Sequence, residues 1–125
     1  FERRQFIKNI KYEYASILRQ KIDLSLELHA KATRLNNEVN VNQSDNQIII
    51  PQYVNSVLDV YYYYIQNKVI FKKFNNNMEN IGTLVLKLIE CNKQKGINSM
   101  EFSVLFNRIR DELMVLKKEC VELHL

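Results

Sequence analysis

The sequence predicts an all-α protein, an antiparallel up-down-up-down four-helix bundle with a long first helix. Three observations carry that expectation. Two Gly (Gly82, Gly96) and one Pro (Pro51) occur in 125 residues; these residue types punctuate turns, so their scarcity leaves room for a few long helices. Apolar residues recur every three or four positions along most of the chain, the period of an amphipathic helix. Near the end, Asn98 and Glu101 open a segment whose apolar seam then runs unbroken from Phe102 to Leu123.

The first helix is expected over 2–40. At about 100° per residue, Phe6, Ile10, Tyr14, Ile17, Leu24, Leu28, Ala32, Leu35 and Val39 fall within an arc of about 80°, which reads as the main core line. A second, shorter apolar line of Ala15, Leu18, Ile22 and Leu26 lies on nearly the opposite side. A helix in one antiparallel bundle ordinarily buries a single broad face, so this second line is a candidate self-association face. Two copies of the first helix would pack on it about a two-fold axis as a homodimer. The competing expectation is that neighbouring helices of the same chain cover it.

Residues 40–47, NVNQSDNQ, read as a polar loop, and Pro51 as part of the first turn of a second helix over 51–74. Val54, Leu58, Tyr61 and Ile65 mark its core side. Of the four consecutive tyrosines, Tyr61 to Tyr64, two are expected in the core and two partly exposed, because neighbours point in different directions. Asn75, Asn76 and Asn77 are weak helix formers and good turn formers, so a turn is expected there. The third helix then covers 78–93, with Gly82 inside it at about 1 kcal/mol relative to Ala, a cost that close packing against a neighbour would explain. Gly96 is its expected left-handed stop. The fourth helix, 98–123, starts with Asn98 as cap, Glu101 completing a capping box and Ile97 stapled to Phe102. Phe102, Phe106, Ile109, Leu113, Leu116, Cys120 and Leu123 then form a coiled-coil-like seam. Because the first helix outruns its partners, roughly its first ten residues should project beyond the bundle at the end where the chain terminates.

This length fits one domain, 1–125. Apolar residues at 46% and charged residues at 26% are ordinary for a folded globular chain and unlike a disordered one. No apolar run approaches the roughly 20 residues that cross a bilayer. The chain begins at Phe1 in a segment that already reads as helix without a capping residue, so the first helix is expected to continue upstream. The net charge is +4. Its basic residues are scattered as pairs (Arg3 and Arg4, Lys72 and Lys73, Lys117 and Lys118) among acidic ones, which suits a solvated surface better than a nucleic-acid stripe. In the expected bundle Cys91 and Cys120 lie about 27 Å apart along the helices, beyond the about 7 Å that a disulfide tolerates. They read as buried thiols of a reducing, cytoplasmic compartment.

Catalytic and metal chemistry find little support. Cys120 and His124 are four apart, but Cys91 and His29 lie elsewhere, so no tetrahedral ligand set assembles. Glu27 precedes His29 by two residues, as Glu122 precedes His124, which is not the Glu-x-x-His of di-iron bundles. Arg108 with Glu112 and Lys118 with Glu122 read as surface ion pairs four apart. There is no Gly-rich phosphate loop and no nucleophile elbow, so neither an enzyme nor a cofactor is expected.

The start of the first helix mixes Arg3, Arg4, Lys8 and Lys11 with Phe1, Phe6, Ile7 and Ile10, a basic amphipathic pattern suited to a membrane-proximal segment. In this FERRQFIKNIKYEY start and in its helix layout the chain resembles the helical cytoplasmic domains of bacterial single-pass membrane proteins. The resemblance implies an upstream membrane tether and carries over no functional residue. The function expected is a non-enzymatic helical interaction or structural domain, engaging a protein partner or itself. The alternatives are a small helical nucleic-acid-binding subunit and a viral helical bundle that binds a host protein.

Overall fold

A computed structural model describes residues 2–37 and 43–121. Four α-helices follow one another: α1 (Glu2–Asn37), α2 (Gln43–Gln66), α3 (Asn75–Gln94) and α4 (Met100–Val121). A short 3-10 turn, Lys72–Phe74, precedes α3. There is no strand among the described residues. Each helix packs on two neighbours, α1 and α3 each lying between α2 and α4, and the pairs are antiparallel. Lys21 meets Asp59 across α1 and α2, while Asp23 meets Lys117 across α1 and α4. The protein is an all-α, up-down-up-down four-helix bundle. Val39, Glu122, Leu123 and His124, which the sequence placed in or beside helices, lie outside the described residues.

The face that α1 turns to the core is the shorter apolar line. Leu18, Ile22 and Ser25 are fully buried at 0% exposure, and Ala15, His29 and Ala32 are buried beside them. The candidate self-association face is thus corrected: Ala15, Leu18 and Ile22 are core residues of the single chain, covered by its own helices. Leu26, at the edge of this arc, is half-buried. Of the longer line's described residues only Ala32 is buried; Ile10, Tyr14, Leu28 and Leu35 are half-buried, and Phe6, Ile17 and Leu24 are exposed, Phe6 at 66% and Leu24 at 51%. Two polar residues disguised the true core arc. Ser25 donates to Ser56 Oγ at 2.9 Å and Ser56 donates to the Tyr53 carbonyl at 2.6 Å, so both buried hydroxyls are satisfied and their small side chains let α1 and α2 approach closely.

In α2 the core face is likewise turned from the expected one. Tyr53, Val57, Val60 and Tyr64 are buried, whereas Val54, Leu58 and Tyr61 are half-buried and Ile65 is exposed. Of the other two tyrosines, Tyr63 is half-buried and Tyr62 exposed. The helix starts at Gln43, eight residues before Pro51. Pro51 and Gln47 are both exposed, so the carbonyl four residues before the proline, deprived of its amide donor, opens to water.

The reversal into α3 comes earlier than the asparagines suggest. Backbone bonds from Ile70 and Phe71 to the Asn67 carbonyl turn the chain at 3.0 and 3.2 Å, and the 3-10 turn brings Phe74 into the core beside Phe71. Burial of these two phenylalanines drives the turn. Asn75, Asn76 and Asn77 form the first turn of α3, with Asn75 Oδ1 accepting from the Tyr64 hydroxyl.

The second half of the chain follows expectation closely. Met78, Ile81, Val85 and Leu88 are buried in α3, and Phe102, Phe106, Ile109, Leu113, Leu116 and Cys120 in α4. A Cβ on Gly82 would sit 2.8 Å from Cε2 of Tyr61, the close approach that explains a mid-helix glycine. Gly96 is left-handed at φ 80°. The cap of α4 is Ser99, not Asn98: its Oγ accepts from the Phe102 amide at 3.1 Å, and Glu101 pairs with Lys95 instead of closing a capping box. Residues 2–9 of α1 are all exposed, the projecting segment that its greater length implies.

Candidate functional site

A groove of about 780 Å³ lies between α1 and α4. The first helix contributes Leu26, His29, Ala30, Thr33 and Arg34; α4 contributes Arg110, Met114, Lys117, Lys118 and Val121. Three-and-four spacing puts each set on one helix flank, and antiparallel packing sets the flanks side by side. Room for the groove comes from the small Ala30 and from Thr33, whose hydroxyl donates to the His29 carbonyl at 2.9 Å and so is satisfied within its own helix.

Its floor is anchored on His29, 3% exposed. The imidazole stacks on Phe106 with ring centroids 4.0 Å apart, and Tyr53 meets it edge-on at 5.7 Å. Nε2 lies 3.2 Å from Asn107 Oδ1, where an N–H donates to the amide oxygen. Burial, and secondarily the Arg110 guanidinium, hold the imidazole pKa below its ordinary value against the opposing pull of the Asn107 bond and Asp111. His29 is therefore a neutral member of an aromatic cluster. Burial likewise pushes the Tyr53 hydroxyl well above the phenol range, and that hydroxyl has no hydrogen-bond partner among the described residues.

The rim is cationic. Lys117 pairs with Asp23 at 2.8 Å and Arg110 with Asp111 at 3.0 Å. Arg34 and Lys118 form no ion pair among the described residues. Because Asp23 lies opposite Lys117, Lys118 is level with about residue 22 of α1, so Arg34 and Lys118 stand about 18 Å apart along the groove. An apolar floor of Leu26, Ala30 and Met114 between separated cations, with Val121 just beyond Lys118, can bury apolar side chains and meet anionic groups at the same time.

Of the residues singled out from sequence, Leu26, His29, Lys117 and Lys118 line the groove, and the others lie elsewhere. Arg3, Arg4 and Lys8 are exposed on the projecting start of α1, and Lys11 is half-buried just beyond it. Both thiols are free and buried, Cys91 with its Sγ 3.6 Å from Ser99 Oγ. Burial pushes the Cys120 thiol up to about 12, so it is protonated and a poor nucleophile. No group of three or more His, Cys, Asp or Glu among the described residues is arranged to hold a metal ion, and no described helix is long and apolar enough to cross a membrane. The groove residues were missed because each flank alone looks like ordinary helix surface. The available signal was that Arg110, Met114, Lys117, Lys118 and Val121 form an α4 stripe without a carboxylate.

The fold and groove together describe a helical bundle with one concave, cationic and apolar flank. Comparison with protein families, with curated proteins and with solved structures finds no match for this chain.

Proposed function

We propose that this protein is a non-enzymatic helical interaction domain whose working surface is the groove between α1 and α4. The observation that carries the reading is the groove's composition: an apolar floor under four cations, with its one titratable floor residue, His29, already committed to Phe106 and Asn107. Such a surface recognises a partner by burial and charge. The basic projecting start of α1, with Arg3, Arg4 and Lys8 exposed, supports an accompanying role near an anionic surface such as a membrane.

A photo-crosslinking amino acid at Met114, in the groove, tests this against one at Val104, which is exposed on another part of α4. Protein adducts from position 114, absent from 104 and suppressed by the groove-filling Ala30→Trp, are expected in the cells that make the protein. Ala30 is exposed, so the larger side chain occupies the groove without entering the core. Nuclease-sensitive adducts, or equal labelling from both positions, would overturn the reading.

A further inference from the structure

We infer that the groove receives a single amphipathic α-helix with acidic residues toward both of its ends, supplied by another protein; this inference rests on the reading of the groove as an interaction surface. The charge of the groove calls for an acidic occupant. Four cations and no carboxylate stand among the described residues that line the groove; Asp23 and Asp111 engage two of them, and Arg34 and Lys118 form no ion pair among the described residues. The latter two cations are separated by about 18 Å along α1 and α4, or a little over three turns of helix. A ligand with one anionic head reaches only one of them, whereas a helix carrying acidic residues about three turns apart reaches both.

Along the groove, Leu26, Met114 and Val121 offer aliphatic contact, Met114 with the adaptable shape suited to a helix ridge, and Ala30 leaves room for close approach. No exposed ring is available for base stacking, since His29 is already stacked on Phe106, so the lining favours a helix over single-stranded nucleic acid. A second copy of this chain is a poor occupant, because each copy carries a net charge of +4.

The probe is a designed helical peptide of about eighteen residues, with Leu at positions i, i+3, i+4 and i+7 and Glu flanking them, tested by fluorescence anisotropy beside a twin with Lys for Glu. The acidic peptide should bind at least about tenfold more tightly than its twin and weaken severalfold between about 50 and about 500 mM salt, as screened charges do. The double variant Arg34→Glu/Lys118→Glu should reverse the preference. Ala30→Trp should abolish binding of both peptides. Equal binding of the twins, indifference to charge reversal, or preferential displacement by a fatty acid or a DNA oligonucleotide would overturn the inference. If neither peptide binds while position 114 still crosslinks a protein, the occupant is wrong and the interaction surface stands; if crosslinking fails as well, both fall.

Discussion

His29 gives the bundle a pH-dependent stability whose sign follows from its surroundings. The folded protein holds the imidazole pKa below its ordinary value of 6.5, through burial and then Arg110, while the unfolded chain protonates near that value. Below it the unfolded state binds the extra proton, so stability is complete above about pH 6.5 and declines as pH falls through the window beneath. The thermal midpoint should therefore drop between pH 7.5 and 5.5, and His29→Gln should flatten part of that drop; an identical slope in the variant would refute this role. At Gly82 two effects compete. Alanine gains about 1 kcal/mol in helix propensity, but its Cβ would lie 2.8 Å from the Tyr61 ring, and overpacking costs about 1–3 kcal/mol. Gly82→Ala should lower the denaturation midpoint, whereas Gly82→Ala with Tyr61→Leu should recover it. A single variant more stable than the parent would show that the ring yields freely.

At the scale of the helix, α1 separates core from surface within a few residues. Ile22 is fully buried and Leu26 half-buried beside the groove. Ile22→Glu places an uncompensated carboxylate in the core and should cost at least about 3 kcal/mol, while Leu26→Glu should fold with near-normal helicity. Circular dichroism in denaturant checks both, and equal losses would contradict the assigned phase of α1. That phase was the hardest feature to read from sequence. The longer apolar line, including Phe6, Ile17 and Leu24, outnumbers the buried one, and Ser25 and His29 interrupt the true core arc with polar residues whose bonds become visible only when Ser56 and Asn107 arrive from other helices. The turn before α3 was hidden for a similar reason: tertiary burial of Phe71 and Phe74 overrode the local turn preference of the asparagines. In contrast, α3 and α4 were legible because the seams from Met78 to Leu88 and from Phe102 to Cys120 have no rival apolar face of equal length, and Gly96 marks the boundary between them. The groove could not be read from either flank alone, since it exists only where α1 and α4 lie side by side.

At the scale of the whole molecule, the bundle fills its core with the residues of one chain and leaves its distinctive chemistry on a flank. Its charge of +4 is spread over pairs and over the projecting start of α1, so DNA or RNA should bind weakly and in a steeply salt-dependent way. Sub-micromolar affinity for an oligonucleotide at about 150 mM salt would favour a nucleic-acid-binding protein instead. The central claim, that the α1–α4 flank is the recognition surface for an acidic helix, is tested most directly by titrating the acidic peptide into isotopically labelled protein and mapping the amide shifts. Perturbations concentrated at residues 26–34 and 110–121 are expected; shifts clustered instead along the exposed Phe6, Ile17 and Leu24 of α1 would overturn the claim.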